Sequence, residues 1–304
     1  FNPRDRNVSM IWLPLLVLLG WDVLWGLAFP LLGEGFRDAI AKDESLITPL
    51  LLPVSFLLVF RLGRAAVRYW DARAAAGKLV EICRVLVSTA IVGCSTETTD
   101  NHDTDAKMRD DFARWICVFP IAVKNFLRPP NRKGWDDSSR RNKHIFEIGQ
   151  LLSAEEINEL MDTSDGQSEP ILVLNRLREL AFDASIRRAT SSTTPSIQDA
   201  FYRQLNQEID ILTGAWGAME RINATPLPFV YVVHLRTFLV LYLLLWHMEA
   251  IAREGWIAVA ILLSASWALL GIEAAAVECE RPFRWECSHL PMGRVCVVVS
   301  QHVA

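Results

Sequence analysis

The feature that most constrains this chain is where its apolar side chains lie. They gather into two runs near the N-terminus and two near the C-terminus, with a long, more polar stretch between them. The first run, Ile11 to Leu32, is about 22 residues long and rises roughly 33 Å as a helix, enough to cross a bilayer core. The second, Leu46 to Phe60, is about 15 residues, short for a span. It stops at Arg61 and is interrupted by Pro49 and Pro53, a pattern tolerated at membrane depth where the segment lines a cavity or is buried in protein. A third run covers Leu227 to Trp246, and a fourth goes from Trp256 to about Val277. The mildly positive mean hydropathy, +0.21, therefore averages two unlike regions. The chain reads as an integral, multi-pass membrane protein.

Trp21, Trp25, Trp246 and Trp256 lie in or beside the runs, where they can anchor at the bilayer interface. The acid inside the first run, Asp22, is expensive in lipid and is expected to face protein or water, with a hydrogen bond to a neighbouring helix or an ion path as its two readings. Arg236, near the start of the third run, can snorkel to the interface. The first run is too long for a signal peptide and has no cleavage-site pattern. Arg61, Arg64, Arg68, Arg73 and Lys78 follow the second run closely, whereas the segments 33–45 and 247–255 carry only Arg37, Lys42 and Arg253. The positive-inside rule then places both termini and the whole middle on the cytoplasmic side or its organellar equivalent, with four crossings.

The middle of the chain reads as helical. Val67 to Val92 contains no proline, and Phe112, Trp115, Ile116, Phe119 and Val123 recur at spacings of three and four. Ser153 with Glu156 makes a capping-box pattern. Ser164-Asp165-Gly166 marks a turn, after which Ile171 to Phe182 and Ile197 to Ile222 are helical. Segments 95–107, 129–143 and 186–196 are expected to be exposed loops. The resulting division is an N-terminal transmembrane pair over 1–62, a helical cytosolic domain over 63–226, a C-terminal transmembrane pair over 227–278 and a cytosolic segment over 279–304. The fold class is all-α.

Charge and motifs exclude more than they assign. With 31 basic and 35 acidic residues, a net charge of −4, the chain lacks the basic surface of a nucleic-acid binder. Its six cysteines form neither a dense disulfide framework nor a zinc knuckle. His102, Asp103 and Asp105 are the one compact cluster of metal-ligand types, and it reads as a solvated loop. Phosphate-loop, H-E-x-x-H and G-x-S-x-G signatures are missing. No enzymatic activity, metal or cofactor is expected.

One pattern in the second run points to function. Leu52, Phe56 and Phe60 are four residues apart and stack along one helix face. Such a row reads either as a buried or lipid-facing stripe or as a hydrophobic constriction, made by several copies of the helix, that gates by dewetting. Phenylalanine edges are electropositive and tolerate a passing anion. A helix beginning near Pro53 and Ser55 would also point free N–H groups at an anion.

The stretch Leu52-Pro53-Val54-Ser55-Phe56-Leu57-Leu58-Val59-Phe60-Arg61, followed by Arg68-Tyr69-Trp70-Asp71-Ala72-Arg73, resembles the second transmembrane helix of the bestrophin family. Ala113-Arg114-Trp115 with Phe119-Pro120 is similar to the next helix in the bacterial and plant-type branch. Met219-Glu220-Arg221-Ile222 with Thr225-Pro226-Leu227-Pro228 resembles the approach to the third membrane helix. Leu270-Gly271-Ile272-Glu273, Pro282-Phe283 and Leu290-Pro291-Met292 look like the closing signature. The resemblance implies a homopentamer around a central pore, passing chloride or bicarbonate, in a cell membrane or a chloroplast (thylakoid) membrane. It maps the family's hydrophobic neck onto Leu52, Phe56 and Phe60. It also implies departures: Arg284-Trp285-Glu286-Cys287-Ser288-His289 offers one carboxylate where animal members hold calcium, so no calcium clasp is expected. The rivals are an ion-coupled secondary transporter using Asp22 or Glu273, and a non-conducting membrane scaffold.

Overall fold

The computed structural model describes residues 6–42, 47–94, 102–128, 137–163, 169–190, 195–284 and 289–303. Among these the chain forms eleven α-helices, a single 3-10 turn and no strand. The helices are α1 (Arg6–Leu32), α2 (Glu34–Lys42), α3 (Thr48–Gly93), α4 (His102–Leu127), α5 (Asp137–Ile148), α6 (Ala154–Thr163), α7 (Glu169–Thr190), α8 (Pro195–Ala224), α9 (Phe229–Glu254), α10 (Ala258–Glu280) and α11 (Met292–Val303). Among the described residues three stretches are long and apolar enough to cross a membrane: Ile11–Leu32, Thr48–Gly93 and Phe229–Glu280. The last of these contains both α9 and α10, parted at Gly255, whose φ of +66° suits a residue without a Cβ.

The chain divides into two compact units, one from Phe1–Trp70 with Pro226–Pro282, the other from Asp71–Thr225 with Phe283–Ala304. In the first, α3 buries Val54 and Leu58 in a cluster with Leu18, Leu235, Leu239, Tyr242 and Leu243. Trp21 Nε1 donates to the Leu244 carbonyl at 3.0 Å, and Phe29 packs with Ile251 and Leu262. Residue numbers on α1 and α9 thus rise together, while the pairs His247–Ser266 and Arg236–Glu273 fold α10 back along α9.

The second unit is built around buried apolar helix faces. Phe112, Ile116, Phe119 and Val123 of α4 are fully buried, as the helical spacing predicts, together with Leu177 of α7 and Leu205 and Ile209 of α8. The capping box forms: Ser153 N–H donates to Glu156 Oε2 at 2.8 Å, and Glu156 N–H donates to Ser153 Oγ at 3.3 Å. Burial pushes the Glu156 carboxyl up, but Ser153 and the Arg114 guanidinium outweigh it and hold it below the usual carboxylate range. Glu147 behaves likewise: burial raises it, and the Lys124 ammonium at 2.6 Å, with Asn125 and Lys143, draws it down further.

Two expectations change. The second apolar run and the segment Val67–Val92 form one helix of 46 residues, because neither proline nor a turn signal separates them after Phe60. The expected loops are shorter than the polar composition suggests. Residues 102–107 belong to α4, whose first turn carries Asp103 and Asp105 at the positive end of the helix dipole. Residues 137–143 belong to α5, 186–190 to α7, and α8 starts on Pro195, a favoured first helical position. The turn at Ser164-Asp165-Gly166 lies outside the described residues, as do 95–101, 129–136 and 191–194.

Candidate functional site

α3 has two unlike faces within the first unit. Val54, Leu58, Arg61 and Ala65 are buried, the last two completely. Leu52, Phe56 and Phe60, on the opposite side, are 65%, 55% and 61% exposed. The rings of Phe56 and Phe60 lie 6.3 Å apart and 25° from parallel, so these two side chains form a stacked aromatic ridge beyond Leu52. Exposing three large apolar side chains in water would forgo about 1.5–3 kcal/mol apiece, so such a face is built to meet lipid, protein or a poorly wetted lumen.

Pro53 and Ser55 do not stand at a helix start. α3 begins at Thr48, where Leu50 and Leu51 N–H groups donate to the Ile47 carbonyl. Pro53 lies inside the helix, and the Ser55 hydroxyl donates to its own Leu51 carbonyl at 2.7 Å. The free N–H groups of the helix start therefore lie upstream of both residues, because prolines in the first turns remove few intrahelical bonds.

Directly after the row, Arg61 turns inward. Its Nε donates to Glu273 Oε2 at 2.6 Å and its Nη2 to Glu280 Oε2 at 3.2 Å. Arg236 Nε donates to the other Glu273 oxygen at 2.8 Å, and Glu280 Oε1 accepts the Leu227 backbone N–H at 3.1 Å. Two arginines and two glutamates thus form a neutral cluster joining α3, the start of α9 and the end of α10. Glu273 pairs with two arginines of its own unit, and Arg236, expected to snorkel, is half exposed and bonded to Glu273. Removing one member of such a buried cluster strands its partners and costs about 3–5 kcal/mol.

A second polar set crosses the same helices. Asp22 Oδ1 lies 2.7 Å from His247 Nδ1, and His247 Nε2 lies 2.7 Å from Ser266 Oγ. The arrangement that satisfies them has Nδ1–H donating to the carboxylate and Nε2 accepting the serine hydroxyl. The order matches a hydrolase triad, yet all three side chains are fully buried, so no substrate reaches Ser266. The set ties α1, α9 and α10 together and settles Asp22 as a helix-to-helix bond.

Sequence reading reached the exposed row and Asp22 but missed the partners His247, Ser266 and Glu280 and the buried role of Arg61. The one available signal was opposite charge at the edges of separate apolar runs. Among the described residues no group of three or more His, Cys, Asp or Glu side chains has metal-holding geometry. Trp285, Glu286, Cys287 and Ser288, four of the six residues on which the calcium expectation rests, lie outside the described residues.

Comparison with known proteins gives one consistent picture. The family described as bacterial/fungal bestrophin protein matches residues 32–304. A voltage-dependent anion channel-forming protein of Synechocystis sp. is 26% identical over 264 residues, covering 87% of this chain and 77% of that protein. One of the same description from Nostoc sp. is 28% identical over 252 residues, covering 82% and 73%. The crystal structure of a bacterial bestrophin homolog from Klebsiella pneumoniae superposes with a TM-score of 0.77 at 19% identity, covering 96% of this chain and 97% of that one. At that identity the superposition speaks for the fold.

Proposed function

The chain belongs to the bestrophin family, in its bacterial and fungal branch, and from that premise we propose that it is a passive anion channel. Five copies surround one pore, each crossing the membrane four times, with chloride the main permeant ion and bicarbonate a second. Leu52, Phe56 and Phe60 line the neck, and residues 63–226 and 279–304 form the cytosolic part. The observation that carries this reading is the exposed apolar row on α3, standing opposite the face by which that helix is held in its own protomer. The names of the Synechocystis and Nostoc relatives support an anion as the permeant species.

The geometry suggests how such a neck works. A ring of apolar side chains offers no ligands, so an ion crosses it by shedding part of its water, and weakly hydrated anions do so most readily. Selection follows dehydration and the electropositive edges of the Phe56 and Phe60 rings. The Arg61–Glu273–Glu280–Arg236 cluster fixes the axial position of α3 and thereby the height of the row.

The coupled-transporter reading needs a carboxylate free to exchange a proton or ion. Glu273 is clasped by two arginines, and Asp22 is tied to His247. The test is the reversal potential of purified protein in planar bilayers under a salt gradient. Discrete steps reversing near the chloride equilibrium potential are expected; reversal at the cation potential contradicts the proposal.

A further inference from the structure

At the bend between α1 and α2, the first unit carries a cleft of about 470 Å³ reaching to the α9–α10 turn. Phe29, Ile251 and Trp256 line it together with two charged side chains, Glu34 and Arg37. Trp256 is seated by a close approach to α1: a Cβ on Gly26 would come within 2.6 Å of the indole ring. Arg37 Nε donates to the Ala252 carbonyl at 2.7 Å, at the C-terminal end of α9 where helix carbonyls gather negative potential. That bond holds the guanidinium by one edge and leaves its two terminal nitrogens without a protein partner among the described residues.

Glu34 and Arg37 are three residues apart on α2, a spacing that often pairs. No ion pair joins them among the described residues, because Arg37 is drawn to α9. The cleft thus presents a cation anchored on the Ala252 carbonyl and an exposed carboxylate that is not paired with it, on otherwise apolar walls. A complementary ligand carries a negative and a positive group a few ångströms apart and is attached to hydrocarbon. Around the cleft, Leu31, Leu32, Ile257 and Ile261 are exposed, giving an apolar surface continuous with it. Trp256 is half exposed there, the setting indole favours at a bilayer interface.

We propose that this cleft binds the headgroup of a zwitterionic phospholipid, its phosphate on the free edge of Arg37 and its ammonium on Glu34. The acyl chains run along Leu31, Ile257 and Ile261. Arginine suits the phosphate because its planar fork presents two parallel donors. The inference rests on reading α1, α9 and α10 as membrane spans.

The test is native mass spectrometry of the delipidated, detergent-solubilised oligomer titrated with phosphatidylethanolamine, with phosphatidylglycerol, and with phosphatidylethanolamine in the presence of inorganic phosphate. Phosphatidylethanolamine is expected to bind more tightly than phosphatidylglycerol, and phosphate is expected not to compete. Arg37→Ala should weaken phosphatidylethanolamine by about tenfold, the loss of one charge-assisted contact. Glu34→Gln should erase the preference between the two lipids. If Arg37→Ala does not assemble, Arg37→Lys, which keeps the charge and loses the fork, takes its place with a smaller weakening. Equal binding of both lipids, insensitivity to these variants, or displacement by phosphate would overturn the proposal, the last pointing to a site for soluble anions. Oligomers that bind no lipid would overturn it too, as when a neighbouring copy fills the cleft. Anion flux is measured on the same preparation: flux without lipid preference defeats only the lipid site, and lipid preference without flux defeats only the channel reading.

Discussion

The two units of this chain treat polar and apolar side chains in opposite ways. The first buries Asp22, Arg61, His247, Glu273 and Glu280 while leaving Leu16, Leu27, Phe56, Phe60 and Ile261 exposed. The second buries Phe112, Ile116, Phe119, Leu177 and Leu205 and spreads pairs such as Arg176–Glu179, Arg178–Asp210 and Arg203–Asp199 over its surface. With the first unit in the bilayer and the second in water, as proposed above, each unit hides what its surroundings solvate poorly. In hydrocarbon an unpaired charge is the costly group, so charges turn inward and find partners; in water the costly group is exposed apolar surface. Exposure of a phenylalanine therefore means different things in the two units.

Breaking a buried charge in the first unit is the largest expected perturbation. Arg61→Met strands Glu280 and leaves Glu273 only the half-exposed Arg236, and should lower stability by about 3–5 kcal/mol, read from thermal unfolding in detergent. Adding Glu273→Gln and Glu280→Gln to Arg61→Met should recover much of that loss. In the second unit the matching large effect comes from an apolar residue. Phe112→Ala empties a fully buried site and should cost about 3–5 kcal/mol, whereas Phe56→Ala should leave protomer stability within about 0.5 kcal/mol. A large folding cost for Phe56→Ala would break the contrast. His247→Ala, which leaves Asp22 buried without its partner, should cost about 1–3 kcal/mol, and Asp22→Asn less because the amide can still bond the ring.

The smallest effect concerns pH. Glu147 and Glu156 titrate below the usual carboxylate range when folded, so each contributes stability above that range. The contribution fades as pH falls through it and is gone below the lowered folded values. Glu147→Gln should flatten the acid limb of the stability curve of the second unit and lower its stability at neutral pH. An unchanged acid limb would show that the Lys124 pair is not formed in solution.

Much of this was legible from side-chain pattern. Apolar runs located α1, the start of α3, α9 and α10, and the spacing of Phe112, Trp115, Ile116, Phe119 and Val123 marked the buried face of α4. The row Leu52, Phe56, Phe60 was visible because positions four apart share a face. What escaped was set by distance along the chain. Arg61 bonds Glu273 across 212 residues, and an arginine just after an apolar run reads first as an orientation signal. Nothing local separates that role from a buried clasp. Pro53 misled for a different reason: in the second turn a proline removes one backbone bond and leaves the helix intact, so the helix begins before it. Polar composition likewise overstated the loops, since Asp103 and Asp105 favour a helix start.

In the proposed channel the exposed row on α3 faces a pore while the equally exposed side chains of α1 face lipid. Single-channel conductance of Phe56→Ala beside Leu27→Ala tests it most directly, because the two residues are similarly exposed in the protomer. A wider neck and larger unitary conductance are expected for Phe56→Ala, with Leu27→Ala matching the unmodified channel. Equal conductance in all three, from oligomers of unchanged size, would contradict it and return the row to the bilayer.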